Sequence, residues 1–118
     1  MSYELTFWQY NTEPGPKRHQ STYRKLSEGE RIKGLNYLPV DDIFGQFDAL
    51  LISLGWSHPD YSFWKQNALA LEILSTPQFI RLDCYDVPED MMNRFIELVA
   101  SFGAPLYEPQ ANTRSALA

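Results

Sequence analysis

Cysteine is almost missing from this chain: Cys84 is the only one among 118 residues. A lone thiol excludes an internal disulfide framework and any multi-cysteine zinc site. Histidine is nearly as scarce, with His19 and His58 far apart in sequence, so no metal site is expected. The six glycines are dispersed and build no phosphate-cradling loop, and nothing else implies a cofactor. No apolar run approaches the roughly 18 residues of a membrane span. Met1-Ser2-Tyr3-Glu4 is not a basic segment leading into an apolar one, so no secretory leader is expected. The expectation is a cytoplasmic protein without a membrane partner. Positive charge is in deficit, ten Lys and Arg against fifteen Asp and Glu, for a net charge of −5. Phosphate backbones demand a basic footprint, so no nucleic-acid partner is expected. A basic protein partner suits this balance better.

What is present suits one domain over residues 1–118, with enough apolar sequence to bury a core unaided. Charge is distributed unevenly. Residues 1–34 hold six basic and four acidic residues, a balance of +2, whereas 35–118 hold four and eleven, a balance of −7. The basic portion includes Lys17 and Arg18 and coincides with the least core-like stretch, 11–34. That stretch reads as a long surface excursion with one short helix near 20–28, opened by Ser21. Such excursions are either functional loops or insertions that pack a few side chains, here Tyr23 and Leu26, onto the core. Residues 111–118 read as a loose tail.

Residues 3–10 form a strand candidate rich in aromatic and β-favouring side chains. Over 40–54, Val40, Ile43, Phe44, Phe47, Leu50, Leu51 and Leu54 recur at helical spacing. Asp41 and Asp42 favour that helix's first turn, and Gly55 stops it. Residues 69–74 and 79–85 read as strands around a turn at 75–78. Asp86 and Glu89 have capping-box spacing ahead of a second helix whose stripe includes Met92, Phe95 and Val99. A short last strand over 105–108 completes the order. The expected fold is α+β: a ferredoxin-like split βαβ arrangement (βαββαβ), with two helices on one face of an antiparallel sheet.

Side-chain alternation orients the hairpin. Ile73 opposite Ile80, Leu71 opposite Leu82 and Leu69 opposite Cys84 give one apolar face. Glu72 then pairs with Arg81, Ala70 with Asp83 and Ala68 with Tyr85 on the other. With the first strand beside the third, Trp8, Tyr10, Arg81, Asp83 and Tyr85 share the open face. Two readings follow. Either the aromatics shield the sheet beneath the 11–34 stretch, or they form a recognition platform of hot-spot residue types. Glu4, Glu72 and Asp83 among them would repel an RNA backbone.

Catalytic candidates are thin. His58 stands two residues from Asp60, but no nucleophile or third partner accompanies them, so no enzymatic activity is expected. Cys84 falls on the apolar face, where thiols are inert packing residues. Trp56, Tyr61, Phe63 and Trp64 form an aromatic cluster on a loop before the second strand. It is either a satellite of the core or an exposed patch flanked by Asp41, Asp42, Asp48 and Asp60. In the second case Trp56 or Trp64 would anchor a basic partner, with the open sheet (Trp8, Asp83, Tyr85) as another docking face.

Several segments carry a resemblance. They are Tyr3-Glu4-Leu5-Thr6-Phe7-Trp8, Leu26-Ser27-Glu28-Gly29-Glu30, Gly34-Leu35 with Leu38-Pro39, Arg81-Leu82-Asp83-Cys84-Tyr85 and Pro105-Leu106-Tyr107-Glu108-Pro109-Gln110. Across residues 3–110 the chain resembles small bacterial proteins of uncharacterised or immunity type, often encoded beside polymorphic or contact-dependent growth-inhibition toxins. The resemblance implies a cytoplasmic inhibitor that binds and blocks a cognate toxin, commonly a nuclease, without catalysis. It transfers no site residues, because immunity surfaces vary with their toxins. The residues alone leave a second reading open, a small regulatory or ligand-binding ferredoxin-like domain, dimeric through its open sheet.

Overall fold

The computed structural model describes residues 2–12, 19–60, 62–111 and 113–114. The residues Lys17, Arg18 and Tyr61, used in the sequence reading, lie outside them, as does most of the 111–118 tail. The elements in chain order are β1 (Ser2–Phe7), α1 (His19–Ser27), α2 (Val40–Ser53), β2 (Ser57–Asp60), β3 (Phe63–Gln66), β4 (Leu69–Thr76), β5 (Phe79–Tyr85), α3 (Glu89–Ala100), β6 (Leu106–Glu108) and β7 (Thr113–Arg114). One antiparallel sheet joins all the strands in the order β2-β3-β4-β5-β1-β6-β7.

The fold is α+β, but among the described residues the sheet has seven strands where four were expected, while the third helix, α1, is the short one expected near 20–28. The first and third expected strands, β1 and β5, are indeed neighbours. Three differences have physical causes. First, residues 57–60 and 63–66 pair as the β2–β3 hairpin where a loop was expected. Pro59 hid it, and the β2–β3 register shifts between Ser57 and Asp60, where proline has no N–H to contribute. Second, the β4–β5 turn is tighter than expected. Thr76 faces Phe79, so Ile73 meets Leu82, Leu71 meets Cys84, Glu72 meets Asp83, and Ala70 meets Tyr85. Third, the sheet is covered on both faces, because α1 packs on the side left open in the expected topology.

The main core lies between the sheet and the helices α2 and α3. Ile43, Phe47 and Leu51 from α2 meet Phe95 and Val99 from α3 over Leu5, Phe7, Leu71, Ile80 and Leu82. Phe47 and Phe95 touch with ring centroids 5.6 Å apart. Asp41 and Asp42 occupy the first turn of α2, where the helix dipole favours anions. Gly55, at φ +84°, ends the helix region in a left-handed conformation that a side chain disfavours. Helix α3 begins later than the Asp86–Glu89 spacing predicts. Pro88 occupies the N-cap without a side-chain cap bond, and Asp86 adopts φ +59° in the preceding turn.

The second core fills the other face. Leu26 of α1 packs with Trp8, Tyr10, Leu35, Phe79 and Tyr107, all buried, with Tyr23 and Ile32 at the margin. Trp8 meets Tyr107 at 5.0 Å and Tyr10 edge-on at 6.1 Å between centroids. Arg114 closes the cluster. Its Nη2 donates to the Trp8 carbonyl at 2.8 Å, and its guanidinium stands 4.6 Å from the Tyr10 ring centre.

Candidate functional site

The sequence-derived binding residues divide into two groups. The three tryptophans and Asp83 are buried, whereas Asp41, Asp42, Asp48, Asp60 and Tyr85 are exposed. Trp56 and Trp64 therefore match the core-satellite reading of their cluster and not the exposed-anchor one. Alternation along β3 turns Trp64 into the core beside exposed Lys65, while Trp56 follows α2 with its amide bonded to the Leu51 carbonyl. His58 stacks on Trp64 at 4.1 Å and bonds the Phe63 carbonyl through Nδ1 at 3.0 Å. Trp8 is likewise not a platform residue. It lies under α1, matching the shielding reading of the open face.

Asp83 belongs to a charge network beneath α1. Arg81 bridges Glu4 at 2.7 Å and Asp83 at 3.0 Å, and the Tyr23 hydroxyl donates to Glu4. The expected Glu72–Arg81 pair is not the one that forms, because the tighter turn sets Glu72 opposite Asp83. Burial disfavours the Arg81 charge, but the hydrogen bond and charge of Asp83, with Glu4, raise its pKa nonetheless. Burial, followed by the bond to Glu4, pushes the Tyr23 phenol up as well. With its charges engaged internally, this network ties α1 to the sheet and offers a partner little.

The exposed acids have a different geometry. Positions 41, 45, 48 and 52 of α2 follow one another at helical spacing, opposite the buried Ile43, Phe47 and Leu51. They hold Asp41, Gly45, Asp48 and Ile52, all exposed, with Ile52 at 65%. A Cβ added at Gly45 would meet nothing within 4 Å, so the helix backbone is open to close approach. No lysine or arginine occurs in α2. Asp42 and Asp41 also border an open groove of about 560 Å³ between the start of α2 and the β4–β5 turn. Leu38 and Pro77 line the same groove, joined by a 2.8 Å bond from the Leu38 amide to the Pro77 carbonyl. Asp60 stands apart from this group, at the β2–β3 turn on an outer strand of the sheet.

The sheet's other exposed stretch is where α1 does not reach. Across β3, β4 and β5 it shows Leu74 (42% exposed) and Tyr85 (37%), with Phe63 and Glu72 half-buried. Sequence reasoning missed Leu74 and Gly45. Leu74 lay inside an apolar run, and Gly45 gains meaning only from the helix face it occupies. Among the described residues no group of three or more His, Cys, Asp and Glu is placed to hold a metal ion. No described helix is long and apolar enough to cross a membrane. Compared with family models, curated proteins and solved structures, the chain matches none.

Proposed function

We propose that this chain is a non-catalytic inhibitor of immunity type that docks a basic toxin domain on the outward face of α2. The observation that carries the proposal is the uncompensated stripe Asp41, Gly45, Asp48 and Ile52, beside the Asp42-bordered groove. Carboxylates on a helix that bears no lysine or arginine attract a basic surface, the glycine permits close approach, and Ile52 supplies an apolar contact. This reading carries the protein to the cytoplasm, where such toxins act. The middle strands β4-β5-β1-β6, with α2 and α3 on one face, support viewing the centre as a split βαβ unit. The β2–β3 hairpin, β7 and α1 are then additions to it.

The test is binding to the protein encoded by the neighbouring gene, measured by association and dissociation rates at several salt concentrations. Asp41→Lys with Asp48→Lys should slow association at least about tenfold, and salt should do the same to the native chain. Ile52→Ala should mainly speed dissociation. Tight binding indifferent to salt and to these changes would remove the α2 surface. A regulatory domain that dimerises through its sheet is the second reading, favoured by exposed Leu74 and Tyr85. A concentration-dependent dimer abolished by Leu74→Asp would support it, and a monomer at all concentrations would exclude it.

A further inference from the structure

A second recess lies on the far side of the main core, between α3 and the paired strands β1 and β6. Its volume is about 310 Å³, at the small end of ligand sites. Leu5, Met92 and Ile96 supply its apolar lining, while Glu89 and Glu108 bring carboxylates to it. Asn93 adds an amide, and Tyr3 adds a phenol whose hydroxyl donates to Glu108 Oε2 at 3.2 Å. No Lys, Arg or His lines it among the described residues. The Tyr3 phenol is pushed up first by burial, then by the charge and hydrogen bond of Glu108, with Glu89 adding to the effect. Both carboxylates therefore act on one small, partly apolar space.

We propose that this recess binds an aliphatic cation, an alkylguanidinium or alkylammonium group. The alkyl chain lies over Leu5, Met92 and Ile96, and the head sits between Glu89 and Glu108. The chemistry is complementary at both ends. The thioether of Met92 adapts to an alkyl chain, and a guanidinium fits carboxylates through paired N–H donors. An anion would face two carboxylates, and a neutral polar ligand would leave them without a cation. This site is independent of the α2 surface and of the inhibitor reading.

The probe is n-butylguanidinium, with N-butylurea as its neutral isostere, each titrated while the Asn93 side-chain amide and the Met92 methyl are followed by NMR. The guanidinium should produce saturable shifts at both groups, and the urea should bind at least about tenfold more weakly. Glu89→Gln and Glu108→Gln should each weaken binding by about tenfold, whereas Asp41→Asn should change nothing. Asn93 is exposed, so Asn93→Arg leaves the core intact and should block the site with a tethered guanidinium. A capped Gly-Arg-Gly peptide distinguishes the source. Matching shifts would assign a partner's arginine, and binding of the free guanidinium alone would assign a small molecule. Equal binding of the urea, unchanged binding in both Glu variants or in Asn93→Arg, or no shifts from either cation would overturn the proposal.

Discussion

Cys84 illustrates how one side chain couples packing to pH. It is buried against Leu71 and Leu82, and burial, helped by the charge of Asp83, lifts its thiol from 9.0 to about 12. In the unfolded chain the thiol ionises first, so above pH 9 the unfolded state binds fewer protons than the folded one. Stability from this group is therefore complete below about pH 9 and is lost as pH rises toward 12, by up to about 1.4 kcal/mol per unit. Tyr3, Tyr23 and Tyr107, all raised mainly by burial, extend the loss above pH 10. Urea melts from pH 7 to 11 should show a decline that begins near pH 9 and starts later in Cys84→Ala. A stability profile flat to pH 10 in the native chain would contradict the buried thiol.

At the level of elements, periodicity was informative and cover was not. The stripes of α2 and α3 were legible because three- and four-residue spacing leaves a helix one apolar face. The faces of β4 and β5 were legible too, yet their register was not. A slip of two residues keeps every side chain on its own face, so alternation cannot tell a turn at 75–78 from one at Pro77-Gln78. Trp8 was legible on the face away from α2 and α3, but nothing in β1 announces that α1 folds back over it. Trp64 stayed open between core satellite and exposed anchor because Pro59 disguised the hairpin that turns it inward. The exposed aspartates of α2 were legible from position alone.

Gln78 holds the segment that follows α1. Buried in the β4–β5 turn, it accepts from the Ile32 amide at 2.9 Å and donates to the Ile32 carbonyl at 2.9 Å. One side chain thus serves as a strand partner for the segment after α1. Gln78→Ala should cost about 1–3 kcal/mol, since backbone groups lose their partners. Hydrogen exchange at Ile32 should accelerate more than exchange at Leu82 in the core. Equal acceleration at both would mean that the residue supports the whole fold and not the segment after α1.

On the scale of the molecule, the sheet is unevenly clothed. The helices α2 and α3 line one face, while α1 covers the other only around β5, β1 and β6. The acid stripe lies on α2 and the smaller recess beside α3, and they share no residue. The register fault at Pro59 has a further consequence, for colloidal behaviour. The outer strand β2 is four residues long, exposed throughout and interrupted by that proline, so it is a poor template for the backbone of another molecule. The chain is thus guarded against fibre growth at the edge where its sheet would otherwise recruit copies. Pro59→Val should restore an uninterrupted strand and shorten the lag of thioflavin-detected assembly at high concentration. An unchanged lag would show that the short, charged rim of the hairpin suffices without the proline.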